Sequence, residues 1–100
     1  MPPLHETTTA RVAVLHAIRD QNPGDSAATG RARMLQAMTA LGSITTFEAM
    51  RHLDVFDPRP RKLELVREGY PIETHWRTAL TESGLPHRIG LYVLRRGGTA

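Results

Sequence analysis

The side chains in this chain best suited to chemistry are arginines, and they are clustered. Arg59, Arg61 and Lys62 fall within four positions, and Arg77, His87, Arg88 and Arg95 follow further along. A guanidinium offers five donors in a planar fork, which fits the oxygens of a phosphate or the O6/N7 edge of guanine. Ser43, Thr45 and Thr46 add hydroxyls at the start of a helical pattern, where unpaired backbone amides favour an anion. Together these residues are the candidate contacts to a nucleic acid. The plainer reading of a short basic run is a solvated surface, so the case rests on the elements that carry it.

Other chemistries find less support. None of the five histidines is spaced from another as zinc ligands are, and no cysteine is present to complete a site. His75 and His87 could approach across a hairpin, whereas His16 and His52 fall on separate helices. Glu64 and Glu68 are four apart with basic neighbours, and read as a solvated helix face. The expectation is therefore no catalytic residues, no metal, no cofactor and no small-molecule ligand. Without cysteine there are no disulfides, which fits a reducing cytoplasm. No apolar run reaches the roughly 18 residues of a membrane span. The segment MPPLHETTT lacks the basic-then-apolar pattern of a signal peptide.

The chain is 100 residues long, 40% apolar and formally +3, enough for one domain with a modest core. The charge is uneven. Residues 1–50 balance four arginines against four acids, and residues 51–100 hold nine basic groups against six acids. Twelve of the thirteen basic side chains are arginine. That suits phosphate and guanine contacts, and GC-rich coding would produce the same bias.

The elements follow from periodicity. Residues 9–20 predict a helix with Val12, Leu15 and Ile18 inward, and residues 21–26 break it. Asp25 or Ser26 caps a second helix over 27–41, with Met34, Leu35, Met38 and Leu41 at helical spacing and Gly42 as its stop. Ser43 and Ile44 form a very short strand. Thr46 is the expected N-cap of a two-turn helix carrying Phe47, Met50 and Leu53. Asp54-Val55-Phe56 makes a tight turn, with Asp54 tolerating a left-handed backbone. Asp57-Pro58 opens the next helix, Leu63, Leu65 and Val66 supply its apolar side, and Gly69 ends it. Ile72, Thr74 and Trp76 alternate with Glu73, His75 and Arg77, a half-buried strand that places Trp76 and later Tyr92 in packing roles. Ile89, Leu91 and Val93 alternate in a second strand, residues 88–95, joined to the first by a turn-rich connection over 81–86. Two short helices about a tight turn are a helix-turn-helix, whose second helix lies in the DNA major groove.

The resemblance extends beyond the bare motif. Gly42-Ser43-Ile44-Thr45-Thr46-x-Glu48-Ala49, Asp57-Pro58-x-x-Arg61, Glu64-Leu65-x-Arg67-x-Gly69-x-x-Ile72-x-Thr74 and His87-Arg88-x-x-x-Tyr92-Val93-Leu94 resemble the small phage-type winged helix-turn-helix domain over residues 31–95. The chain departs from that pattern at Asp54, where glycine is usual, and at Arg59-Pro60-Arg61-Lys62, where the reading helix usually starts with small residues. The resemblance implies a mainly α protein with a small antiparallel β-hairpin, preceded by an extra N-terminal helix. The expected division is tail 1–8, helix and linker 9–24, winged domain 25–96 and tail 97–100. It also implies no enzymatic activity and double-stranded DNA as partner, in a regulator or a replication or recombination accessory of a phage or mobile element. Arg61, at a family position, is the first choice for a base contact. The location expected is cytoplasmic, on the nucleoid. A homodimer through residues 9–20 remains open, and the rival reading is a protein-docking module on the same scaffold.

Overall fold

The computed structural model describes residues 8–96, so the segments expected to be tails lie outside the described residues except for Thr8. Seven elements follow in order: α1 (Thr9–Gln21), α2 (Ala27–Leu41), β1 (Ser43–Thr45), α3 (Thr46–Arg51), α4 (Pro58–Arg67), β2 (Ile72–Leu80) and β3 (Pro86–Leu94). Helices and a three-stranded antiparallel sheet, ordered β1-β3-β2, make an α+β fold.

Local chemistry sets most boundaries. Thr8 caps α1 by accepting from the Arg11 amide, and Ser26 caps α2 by accepting from the Thr29 amide. Gly42 closes α2 at φ 86°, a left-handed position where glycine carries no Cβ penalty. The N-cap of α3 is Thr45, not Thr46. Its hydroxyl accepts from the Glu48 amide at 3.0 Å, and Glu48 Oε1 accepts from the Thr45 amide at 2.9 Å. This reciprocal box satisfies two amides at once, which a cap at Thr46 would not. Asp54 is left-handed as expected, at φ 54°. Pro58 occupies the first turn of α4, where its missing N–H costs nothing, but Asp57 makes no side-chain cap.

One core draws on every helix and the sheet. Leu15, Met34, Met38, Ile44, Leu53 and Leu65 are enclosed, with Ile18, Ala37, Ala49, Val55 and Tyr92 around them. Each buried leucine contributes about 1.5–3 kcal/mol. α1 therefore spends Leu15 and Ile18 on its own domain.

The sheet corrects the expected strands. β2 continues to Leu80, and β3 begins at Pro86, with Ile72 opposite Leu94 and Leu80 opposite Pro86. The core takes Tyr92, opposite Thr74, with half-buried Leu94 and Ile72 packed against it, and Leu91 and Val93 stay half-buried outside it. Ile89 is buried outside the main cluster. β1 pairs only with Leu91 to Val93, and beyond it α3 approaches the hairpin through Thr46 beside Gly90 and Arg51 paired with Glu82. Trp76, past that point and opposite Gly90, is 52% exposed and does not pack into the core.

Candidate nucleic-acid interface

Pro58 and Leu65 are the buried residues of α4, and Arg61 and Lys62 flank them on the same side. That phase turns Arg59, Leu63, Val66 and Arg67 outward, all exposed. Leu63 and Val66 were expected in the core. They are 45% and 37% exposed, because only one residue in 3.6 can face α2 squarely and Leu65 holds that place. Arg67 is an addition to the expected contacts. It is recognisable once Leu65 sets the phase, since the two lie on opposite sides of the helix.

Arg61 is committed elsewhere. Its Nη2 donates to Glu64 Oε2 at 2.9 Å, and its Nε lies 2.8 Å from Oε1, off the line of a hydrogen bond. Its methylenes lie over Gly30, where an added Cβ would come 3.2 Å from Cδ. Arg31 also donates to Glu64 at 2.9 Å and lies 3.4 Å from Glu68. The Arg31 hydrogen bond first, and Arg61 with it, holds the Glu64 carboxyl below its usual range. Glu64 and Glu68 are thus ties between α4 and α2, not a bare solvated face. Lys62 lies along the hairpin with Nζ 5.9 Å from the Tyr92 ring centroid. Burial raises the Tyr92 hydroxyl's pKa.

The remaining expected contacts divide. Thr45 is buried and occupied by its cap, and the Ser43 carbonyl accepts from Arg11 Nη2 at 2.6 Å. Thr46 is half-buried at the first turn of α3. Arg77 donates to the Trp76 carbonyl, and Arg95 pairs with Glu73. The His75 hydrogen bond and then Arg95 lower the Glu73 pKa. Arg88 stacks its guanidinium 4.8 Å from the Trp76 ring centroid, and His87 is exposed beside it. Seven strand residues at about 3.3 Å each put Arg95 roughly 23 Å from Arg88, at the opposite end of β3. Thr46, Arg59 and Arg88 do converge, around one groove of about 330 Å³ between α3, the start of α4 and the hairpin.

Several organising residues escaped sequence reasoning. Arg33, 5% exposed, donates to the carbonyls of Asn22, Leu53 and Asp54, tying α1's end to the helix-turn-helix turn. Arg11 grips buried Glu48 through two hydrogen bonds, at 2.6 and 3.1 Å. Only the Thr45-x-x-Glu48 spacing was visible beforehand, as a capping-box signature. His16 Nε2 and His52 Nδ1 lie 3.3 Å apart, joining α1 to α3. His75 and His87 do not meet, since His75 stands opposite Leu91 and His87 opposite Ala79. Among the described residues no three histidine, cysteine or acidic side chains are grouped to hold a metal, and no helix is long and apolar enough to cross a membrane.

No curated protein and no solved structure matches the chain significantly. A family model does, and its span begins in α2, so α1 and the linker precede it. The matched residues, 29–97, take in the two short helices about the Asp54 turn and the β-hairpin after them, and the chain belongs to the winged helix-turn-helix domain family.

Proposed function

We propose that this protein binds double-stranded DNA, with α4 in the major groove and the hairpin braced against the backbone. The outward face of α4 carries the reading. It sets Arg59 and Arg67 about 12 Å apart along the axis, at 1.5 Å per residue, with exposed Leu63 and Val66 between them. Two guanidiniums can fork guanine edges or phosphates, and aliphatic groups between them suit thymine methyls. Arg88 and His87 extend the basic surface onto the hairpin, while Arg61 and Lys62 hold the helix in place. The sequence resemblance supports a role as a regulator, or a replication or recombination accessory, of a phage or mobile element. A second copy would meet the outer side of α1, where Ala10, Ala13, Val14 and Ala17 are exposed, and would imply a palindromic site. Light scattering reads that state.

Fluorescence anisotropy against salt tests the proposal. Neutralising three to five phosphates gives a slope of log K on log salt of about −3 to −5. Arg59→Ala and Arg67→Ala should each weaken a preferred duplex by about 1–3 kcal/mol if they fork bases. A slope near zero sinks the reading. It would favour a docking platform, the reading that the exposed Phe56, Met50 and Trp76 side chains support.

A further inference from the structure

The groove between α3, the start of α4 and the hairpin has a composition that duplex binding does not explain. Phe56 stands 93% exposed at its rim, and Met50 and Trp76 are each about half exposed along its walls. A protein seldom leaves apolar groups clustered in water without a partner to cover them. Gly90 keeps the floor open, since a Cβ there would come 3.3 Å from the Thr46 methyl. Arg59 and Arg88 bracket the groove with positive charge, and the Arg88 guanidinium already lies over the Trp76 ring. Asp57 also lines it, with a carboxylate that caps nothing.

From this we infer that the groove takes an unpaired nucleobase, so that the DNA favoured by this protein is a duplex interrupted by a base outside the stack. The occupant must combine a flat apolar body with negative charge at its edges, and a nucleotide carries both. A volume of about 330 Å³ is at the small end of ligand pockets, enough for one planar ring system with its sugar. Phe56 and the Arg88–Trp76 stack offer faces for that ring, as aromatic and arginine planes do in single-strand binders. The Asp57 carboxylate would accept from an exocyclic amine, as acids do from cytosine N4. Arg59 and Arg88 would take the phosphates on either side. Arg59 also belongs to the outward face of α4, so the strand in the groove continues the duplex under that helix. The inference rests on the duplex-binding reading and deepens it.

Trp76 is the only tryptophan, so its emission reports the groove directly. The experiment compares a blunt 20-base-pair duplex with the same duplex carrying one bulged base or a two-nucleotide overhang. Labelled-DNA anisotropy gives affinity, and Trp76 emission gives stacking. The expected result is roughly tenfold tighter binding to the interrupted duplexes, with Trp76 quenching that the blunt duplex does not cause. Phe56→Ala, at a fully exposed site, should abolish the preference and leave blunt-duplex affinity unchanged. Equal affinity for all three DNAs overturns the inference and leaves duplex binding standing. Failure to bind any of them removes both. A glutamate-rich peptide carrying one phenylalanine is the last arm: if it quenches Trp76 saturably while the DNAs are not distinguished, the groove belongs to a protein partner and the inference is overturned.

Discussion

Glu48→Ala should be among the most damaging single changes in the domain, although it deletes a charge from a helix of only six residues. The carboxylate is 3% exposed, and among the described residues it accepts from the Thr45 amide, Arg11 Nε and Arg11 Nη2. Removing it strands the Arg11 guanidinium, for which breaking a buried pair costs about 3–5 kcal/mol. Arg11 keeps 23% of its side chain in solvent and one bond to the Ser43 carbonyl, so the low end applies, about 3 kcal/mol. The orphaned Thr45 amide adds about 1 kcal/mol. Against a total near 5–15 kcal/mol for a domain of this length, a loss of about 4 kcal/mol removes roughly a quarter or more of the stability. Urea denaturation followed by far-UV circular dichroism measures it. The double variant Arg11→Met with Glu48→Gln should recover part of the loss, because it leaves no uncompensated charge and keeps a side-chain acceptor for the Thr45 amide. A Glu48→Ala cost below about 1 kcal/mol, or a double variant worse than both singles added together, would refute the claim that α1 grips α3 through this pair.

Three further outcomes are expected. Leu65→Ala should cost about 2–5 kcal/mol in a thermal melt, and Leu85→Ala, at an exposed position in the hairpin turn, less than about 1 kcal/mol. Equal small shifts would mean that α4 is not packed on Leu65. Arg33→Lys should lose about 2–4 kcal/mol by urea titration, since an ammonium cannot span the Asn22, Leu53 and Asp54 carbonyls and a buried acceptor left unmade costs about 1–3 kcal/mol. The His52 imidazole is held below its ordinary value of 6.5 by burial first and then by His16, with Arg51 and Arg19 acting in the same direction and Glu48 against them. A depressed histidine pKa means that the unfolded chain binds the proton more readily. The contribution is therefore present above pH 6.5 and lost as pH falls below it. Denaturant midpoints at pH 8 and pH 5.5 should differ less in His52→Gln than in the parent, and an undiminished difference would exclude His52 as the source.

The sequence by itself determined the secondary elements, their order and the family. Those follow from local interactions: a hydroxyl on an amide two or three residues away, a glycine at positive φ after α2 and α4, a proline in the first turn of α4, and apolar spacing along α2. Such signals act within a few residues, so they survive without knowledge of the fold. The one-residue slip between Thr46 and Thr45 as cap is of the same local kind, and the Thr45-x-x-Glu48 pattern already contained the answer. Tertiary structure alone decided which arginines are available. Arg59, Arg61 and Lys62 look alike in the chain, but the rotation of α4 is fixed by Leu65 against α2 and by Arg31 reaching Glu64 from 33 residues away. That rotation frees Arg59 and Arg67 and locks Arg61. The same holds for Trp76, whose alternation fits a buried strand face but which stands half exposed on the wall of a groove that α3 and α4 border without filling. Periodicity can say that a residue shares a face; it cannot say whether anything lies over that face.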